Sequence, residues 1–385
     1  MLKLWYKEVI RLMVDVIALK IPGQPLRTEL NGVNIYHLQE RQSLEGSKFT
    51  YLYSLLKFFI VSSLFILIKH VKKPYQLIHV HSVPDFQIFS ALIPKLLGSK
   101  TILDIHDPVP DFFQSKFGYS ENHFYIKMLK LTEKISGIFA DHVITVTDYW
   151  KKAICHRTNI SKHKMSVILN LPNINFFDYG KFKNSESDGN FTLIYPGTLN
   201  KHCGLDTVIK AIDLVKEEVP NIKLLIYGSG SEENRLITMV NDLGLQKYVH
   251  FHGKVSLESI PEILSKADVG IALLSGNDEY SDHALNVKLF EFLAMGLPSI
   301  ATRAESVLTH LGKDVVLLSE TNDPGDVARC ILELYSNPEM RTELREKGLD
   351  YIRKNNSEPQ MSHYIDIVNR LTTDSIDRIN DGNAL

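Results

Sequence analysis

Lys288 and Glu291 lie three residues apart within a run that reads Asn-Val-Lys-Leu-Phe-Glu-Phe-Leu-Ala-Met-Gly-Leu-Pro from Asn286 to Pro298, a spacing that puts both on one helix face. Asn286 can cap such a helix and Val287 to Met295 can form it. Gly296 suits the left-handed position just past its end, and Pro298 prevents continuation. Free N–H groups and the positive end of the helix dipole make the start of this helix a seat for phosphate. Lys288 adds a charge there. Glu291, one turn deeper, can accept two hydrogen bonds from a diol such as a ribose. Together these imply a nucleotide-sugar site, although the same stretch also reads as a capped surface helix carrying a Lys–Glu pair.

Other residues could share that chemistry. A strand at Thr192–Tyr195 runs into Gly197, Thr198, Lys201 and His202 before a helix that begins near Asp206, which is the geometry of a phosphate cradle. Gly228 and Gly230 follow a second strand, Lys223–Tyr227. No third glycine follows at the dinucleotide spacing and no acidic residue ends a suitable next strand, which argues against NAD. His81 and His106 fall at the carboxyl ends of strands Leu77–His81 and Thr101–Ile105, where functional loops of open α/β sheets sit. Each has an aspartate close in sequence, Asp85 and Asp107. A lone histidine at such a place is more often structural, but two at neighbouring strand ends make a site an equal reading. Cys155, Cys203 and Cys330 are isolated, without metal-binding spacing, and fit a reducing compartment.

The run at 286–298 resembles the donor-site signature of family 4 glycosyltransferases, retaining enzymes with the two-domain GT-B fold. Many members carry a Glu-x7-Glu pair here. Glu291 matches the second Glu and His283 stands at the first, so the chain is closer to the branch that reads Pro-x-Lys-Leu-Phe-Glu-Tyr. Residues 197–206 have the family form Gly-Thr-Leu-x-x-x-x-Gly-Leu-Asp, and His106-Asp107-Pro108-Val109-Pro110-Asp111 is similar to the His-Asp-x-x-Pro-Glu signature of one branch. The resemblance implies a donor site of Lys288 and Asn286 with Leu289, Gly197, Thr198, Lys201 or His202, Gly228 and Gly230, with Glu291 on the ribose and the loop at Lys254 and Val255 holding the base. It places His106 beside the donor sugar and acceptor hydroxyl, with His81, Asp85 and Asp107 on the acceptor side. It also implies no cofactor and no metal, since cations and N–H groups stabilise the leaving diphosphate. No Asp-x-Asp motif is present. Domain closure would then exclude water.

The elements that must position these groups alternate between strand and helix in both halves, the pattern of an α/β protein with two Rossmann-like domains facing a cleft. The expected organisation is residues 1–172, a linker at 173–190, a donor-binding domain at 191–355, and a C-terminal helix from 356 crossing back to the first domain before a frayed tail. Further strands are expected at Val14–Leu19, Val33–Tyr36, Val143–Val146, Ser166–Asn170, Val249–Val255, Val269–Leu274, Ser299–Thr302 and Val315–Leu318. The family's first strand and glycine loop have no counterpart before the helix-like Trp5–Met13, unless Leu2–Tyr6 substitutes. Two flanking strands would then face each other across a gap.

A length of 385 residues and 44% hydrophobic content allow two or three well-packed domains, and a net charge of −2 gives no bulk bias towards nucleic acid. The halves differ. Residues 1–172 carry 22 Lys and Arg against 13 Asp and Glu, and the remainder 21 against 32. A basic first half fits contact with anionic lipid headgroups or a phosphate-bearing acceptor; uneven surface charge without function fits as well. Phe58–Ile68, within a long helix expected at Tyr51–Val71, is apolar but far shorter than the roughly 20 residues that span a bilayer, so a buried helix is expected there, with an interfacial membrane helix as the alternative. No signal peptide is apparent. The sequence thus points to a cytoplasmic transferase, at the inner face of the plasma membrane, that moves a sugar from a nucleotide-diphosphate donor to a glycan or lipid-linked acceptor. A related nucleotide-sugar enzyme such as an epimerase, or a family member that binds without turnover, are the rivals.

Overall fold

The computed structural model describes residues 13–40, 48–82, 84–182, 189–276 and 278–382. The chain forms two compact units, Met1–Leu169 with Glu358–Leu385, and Asn170–Ser357. The expected helix at Trp5–Met13, the substitute strand at Leu2–Tyr6 and most of the polar run from Lys183 lie outside the described residues.

In the first unit, β1 (Asp15–Lys20) pairs in parallel with β3 (Val33–Glu40), and β2 (Arg27–Leu30) pairs antiparallel with β3. The hairpin between β2 and β3 turns at Asn31 and Gly32, both at positive φ, as a tight Asn-Gly turn requires. A second sheet has the parallel order β4 (Leu77–His81), β5 (Lys100–Ile105), β6 (His142–Thr145), β7 (Met165–Val167). Among the described residues β1 and β4 are not hydrogen-bonded, so the described strands of this unit form two separate sheets. Side chains join the pieces. Tyr75 donates to Asp15 at 2.8 Å, and Ile17 packs on the cluster of Ile66, Ile78 and Ala91.

The expected long helix at Tyr51–Val71 is α1 (Lys48–Lys72), but its apolar run Phe58–Ile68 is not the buried segment expected. Its stretch Leu52–Lys72 is long and apolar enough to cross a membrane by length and composition. Ser62, Ile66 and His70 are buried, whereas Leu56, Ile60, Leu64 and Ile68 are exposed. The helix therefore belongs to the fold on one side and leaves an apolar stripe of period four on the other. After β4 the chain makes a 3-10 turn at Asp85–Ala91, followed by α2 (Leu92–Leu96). Helices α3 (Val109–Phe117), α4 (Phe124–Phe139) and α5 (Asp148–Thr158) complete this part.

The second unit holds α6 (Tyr179–Phe182), α7 (Leu205–Val215), α8 (Glu233–Asp242), α9 (Ile260–Ser265), α10 (Glu279–His283), α11 (Val287–Ala294), α12 (Glu305–Leu311), α13 (Pro324–Ser336) and α14 (Pro338–Lys354). They surround one parallel sheet of β8 (Phe191–Pro196), β9 (Ile222–Tyr227), β10 (Val249–Gly253), β11 (Val269–Ala272), β12 (Ser299–Thr302) and β13 (Leu317–Ser319). The order is β10-β9-β8-β11-β12-β13. Counted within the unit this is 3-2-1-4-5-6, the doubly wound order, whose switch point lies between β8 and β11. Ligands of such sheets bind beyond the carboxyl ends of the strands at that point. There the chain places the Gly197 loop after β8 and the loop leading to α11 after β11.

The segment 173–190 is more than a linker, because Phe177 is buried and α6 lies within it. The final helix, α15 (Ser357–Gly382), joins the first unit by packing Ile367 and Val368 on Ile102, Ile144 and Ile168. It continues well past Thr372, where fraying was expected, because nothing in Thr-Asp-Ser-Ile-Asp-Arg breaks a helix.

Candidate functional site

Packing decides which way α11 faces. Leu289, Phe290, Phe292 and Leu293 are buried, and an added Cβ at Gly270 in β11 would come within 2.5 Å of the Phe292 ring, so the helix lies close on the sheet. Burial of four such side chains, at roughly 2 kcal/mol each, outweighs the cost of partly covering two charges. Lys288 and Glu291 are left together on the half-buried face. The Asn286 side chain accepts from the Lys288 N–H at 3.2 Å, as its capping role requires. At the other end Gly296 is left-handed, with Gly296 N–H bonded to Leu293 O and Leu297 N–H to Phe292 O, a Schellman closure.

The Lys288 ammonium rests 4.0 Å above the centre of the Tyr195 ring, a cation–π contact. It also lies against the Gly197 loop, since a Cβ at Gly197 would stand 3.0 Å from Nζ. Among the described residues it makes no ion pair. Burial lowers its pKa, opposed by the fields of Cys203 and Glu291. Burial pushes Glu291 up to about 7 despite the Lys288 charge, and its carboxylate makes no hydrogen bond among the described residues. The Cys203 thiol would be raised by burial, but a hydrogen bond with His202 and the Lys288 charge bring it down to about 6. A cation without an ion pair and a carboxylate without a hydrogen bond, one helical turn apart, make a dipolar seat open to an anion and a hydroxyl pair.

The two glycine loops close on each other. Gly197 N–H donates to Tyr227 O at 2.7 Å and Leu199 N–H to Ser229 O at 3.1 Å. A Cβ at Gly228 would lie 1.7 Å from Gly197 O, and one at Gly230 would lie 2.2 Å from Leu199 O. Backbone approach therefore fixes Gly228 and Gly230 as glycine, which gives them a supporting place behind the Gly197 loop. The Tyr195 hydroxyl donates to Thr198 O at 2.8 Å and holds that loop from below. Thr198 and Lys201 are exposed, His202 is half-buried, and His202 O accepts from Ser275 N–H at 2.9 Å. Lys254 and Val255 are exposed just past β10, where Tyr227 stacks on His252 at 4.5 Å. Leu289 corrects the reading of the donor helix. Its side chain is buried and its N–H bonds to Asn286 O, so it packs the helix down.

In the first unit the histidines find a different aspartate from the ones nearest in sequence. His81 Nδ1, His106 Nε2 and Asp104 Oδ2 are mutually 3.1 Å apart, and His79 Nε2 lies 3.3 Å from the same oxygen. Strand register explains the meeting, because β4 and β5 pair His81 with Asp104, and His79 and His106 lie two residues away on the same face. His79 Nδ1 is in turn 2.8 Å from the Tyr364 hydroxyl. Burial would raise the Asp104 carboxyl, but hydrogen bonds from the three imidazoles hold it well below the usual carboxylate range. Asp85 is buried and accepts from the Ser82 hydroxyl, so it closes a turn and does not reach His81, a correction of the acceptor-side reading. Asp107 is exposed. Asp111, which stands where the branch signature has Glu, pairs with Arg157 at 2.7 Å in a buried network with Glu133 and serves the fold. Tyr195, Asp104 and His79 were missed by sequence reasoning. Period-two alternation along β4 and β5 is the signal that could have found the last two.

Known proteins resemble this chain over both of its units. Residues 13–174 match the family model described as Glycosyltransferase Family 4, and residues 178–350 match Glycosyl transferases group 1. Chitobiosyldiphosphodolichol beta-mannosyltransferase of Candida albicans is 22% identical over 268 residues, which are 66% of this chain and 58% of that protein. The lipopolysaccharide core biosynthesis glycosyltransferase LpsD of Rhizobium meliloti is 28% identical over 47% of this chain and 50% of its own. The chain spans about half the length of these relatives. Among solved structures, sucrose-phosphate synthase of Thermosynechococcus elongatus superposes with a TM-score of 0.76 at 19% identity, covering 95% of this chain and 90% of that one. Anabaena HepE, solved in complex with UDP, gives 0.64 at 15% identity over 88% and 86%. These likenesses show the fold, two Rossmann-like domains of the GT-B type. With family models matching both units, the chain belongs to the family 4 glycosyltransferases.

Proposed function

We propose that the protein moves a sugar, with retention, from a nucleotide-diphosphate donor to a glycan or lipid-linked acceptor in cell-surface polysaccharide synthesis. The observation that carries this reading is the Lys288 ammonium, half-buried on Tyr195 beside the Gly197 loop with no ion pair among the described residues. A folded protein that holds a costly charge in such a place gains from it when an anion arrives. Lys288, the dipole of α11 and the Gly197 loop take the diphosphate, and Glu291 takes the ribose hydroxyls. No metal is needed on the diphosphate, because these groups already oppose its charge. Gly228 and Gly230 act through the Gly197 loop, and the backbone at Lys254 and Val255 faces the base. His106, with His81, serves the acceptor side. HepE has been solved in complex with UDP and with UDP-glucose, which supports the donor class, and the named relatives act in lipid-linked and lipopolysaccharide synthesis.

The acceptor class suggests a membrane surface. The stripe on α1 continues over exposed Leu92 and Leu96 of α2 and Leu97 just beyond it to Met128, Leu131 and Ile135 of α4. Phe59 packs on Phe86 and Phe89 on Phe139, so these segments lie side by side. Exposed Lys57, Lys72 and Lys127 flank them. Such a face fits peripheral docking on anionic lipid at the cytoplasmic side.

The test of the donor site is a thermal-shift screen with UDP, GDP and their common sugars, run beside Lys288→Ala and Glu291→Ala. A nucleotide at a hundred times its dissociation constant adds roughly 2.7 kcal/mol, which is readily seen. Stabilisation of the parent and of neither variant supports the reading. A folded parent that no nucleotide stabilises would overturn it. That outcome would favour the second reading, a member that binds a partner without turnover, for which His283 at the family's first Glu position speaks.

A further inference from the structure

We infer that Asp104 is a positioning residue of the acceptor side: its carboxylate fixes the tautomers of His81 and His106, so that both rings offer lone pairs to a hydroxyl of the acceptor and turn away an anion. The inference rests on the acceptor-side reading of the two histidines given above and deepens it. It concerns the first unit only.

A single oxygen organises the cluster. Asp104 Oδ2 lies 3.1 Å from His81 Nδ1, 3.1 Å from His106 Nε2 and 3.3 Å from His79 Nε2. A neutral imidazole has one N–H and one lone pair, and the bond made at one nitrogen decides what the other presents. A lone pair aimed at a carboxylate is repelled, whereas an N–H gains a charge-assisted hydrogen bond. All three imidazoles therefore spend their N–H on Oδ2. His81 Nδ1 and His106 Nε2 are also 3.1 Å from each other. If one donated to the other, the accepting nitrogen would turn its lone pair on the anion, so two crowded N–H groups that both reach Oδ2 are the better arrangement. The carboxylate is held ionised by the same contacts: burial would raise Asp104, but the hydrogen bonds from His106, His79 and His81 keep it well below the usual carboxylate range.

The tautomers follow. His79 gives its Nε2–H to Asp104, and its Nδ1 lone pair accepts from the Tyr364 hydroxyl at 2.8 Å. Burial lowers the His79 pKa, which keeps that ring neutral. Tyr364 stands on α15, so the C-terminal helix supports the cluster from behind. His81 is then Nδ1–H with a bare Nε2, and His106 is Nε2–H with a bare Nδ1. The His81 ring stacks on His79 at 4.5 Å and on His106 at 5.4 Å, and turning it over would put a carbon where Nδ1 meets the carboxylate. The His81 side chain is 48% exposed and that of Asp104 9%. With Nδ1 turned to the buried carboxylate, Nε2 lies on the opposite, outer edge of the ring. Lone pairs above a buried negative charge attract a hydroxyl proton and repel a phosphate or carboxylate. A sugar hydroxyl is the group this chemistry fits, and holding it in one direction is how the cluster orients an acceptor.

Nitrogen NMR reads the tautomers directly. The full chain, labelled with nitrogen-15 in histidine, is recorded at about pH 8, above the ordinary imidazole value of about 6.5. Signals are identified by their loss in His79→Gln, His81→Gln and His106→Gln. Opposite tautomers are expected, Nδ1–H in His81 and Nε2–H in His106, and excess inorganic phosphate should leave both sets of signals in place. Asp104→Asn, verified as folded by circular dichroism, should release His81 from the Nδ1–H form. Tyr364→Phe, which removes one hydroxyl and no charge, should keep the fold and release His79 from its single tautomer. Transfer from UDP-glucose to octyl β-glucoside reads the consequence: Asp104→Asn should raise the acceptor KM about tenfold and leave the donor KM unchanged, a split that general loss of fold does not give. Nucleotide-induced thermal shifts on the same samples report the donor site separately. A parent His81 with a bare Nδ1 would overturn the inference. So would parent tautomers retained in folded Asp104→Asn and in Tyr364→Phe, or saturable binding of phosphate at His81.

Discussion

Glu291→Gln should make the ligand-free protein more stable above neutral pH while weakening its hold on nucleotide. The Glu291 carboxyl is raised from 4.5 to about 7 by burial, with Lys288 opposing the rise. Because its folded value lies above its unfolded one, the folded state binds the extra proton between those pH values. That stability is fully present below about 4.5 and is lost as pH rises through 7. Linkage gives a loss of about 1 kcal/mol by pH 5 and about 3 kcal/mol by pH 8, an upper bound because solvent reaches the half-buried group. The glutamine variant cannot ionise and should escape the loss. Urea titrations of both proteins from pH 5 to 8 are the assay, and the variant's advantage should grow with pH. Nucleotide affinity should move the other way. A charged acceptor gives its hydrogen bonds roughly 1 kcal/mol more than a neutral one, so the variant should bind several-fold to tenfold more weakly at pH 8. Parent affinity should rise from pH 6 to 8, while that of the variant stays flat. A stability gap that does not change with pH, or a variant less stable than the parent at pH 8, would refute the account of a carboxylate held against its solvation for a ligand.

Lys288→Met should leave the ligand-free melting temperature equal or higher, since it removes a charge that burial disfavours, and should abolish the nucleotide-induced shift; a clear destabilisation would instead assign Lys288 to the fold. Gly228→Ala should cost more than 3 kcal/mol and lower nucleotide affinity, because its Cβ would fall 1.7 Å from Gly197 O, while Gly244→Ala, at φ +66 in open space, should cost only about 1 kcal/mol. Equal costs in denaturant titration would show that the glycine loops are not in contact. Arg157→Met should destabilise the first unit by roughly 3–5 kcal/mol, since Glu133 and Asp111 would be left buried and unpaired, and should leave nucleotide affinity of the second unit unchanged.

Sequence revealed the second unit far better than the first, and the reason is local. The Asn286 cap, the buried positions of α11 and the Gly296 closure are all decided within about ten residues, and each has its own side-chain signature. Lys288 and Glu291 were visible because the same helix period that buries Phe290 and Phe292 leaves them on the free face. What could not be read there was the reason for Gly228 and Gly230, which is a backbone contact between loops some thirty residues apart. The first unit depends on such distant pairings throughout. Asp85 and Asp107 were natural partners for His81 and His106 by sequence distance. A strand pair obeys register instead, and register brings Asp104, 23 residues from His81, to the cluster. The apolar stripe of α1 was misjudged for a related reason. Composition showed hydrophobic residues but not which neighbours would cover them, and the fold covers only the side that carries Ser62, Ile66 and His70. A helix that remains half-uncovered over six turns, next to others that do the same, is hard to reconcile with a surface that meets only water. Among the described residues the first unit thus carries an exposed apolar stripe on α1 and two separate sheets. The second unit has one continuous six-stranded parallel sheet, so its loops could be placed from signals that lie close together in the chain.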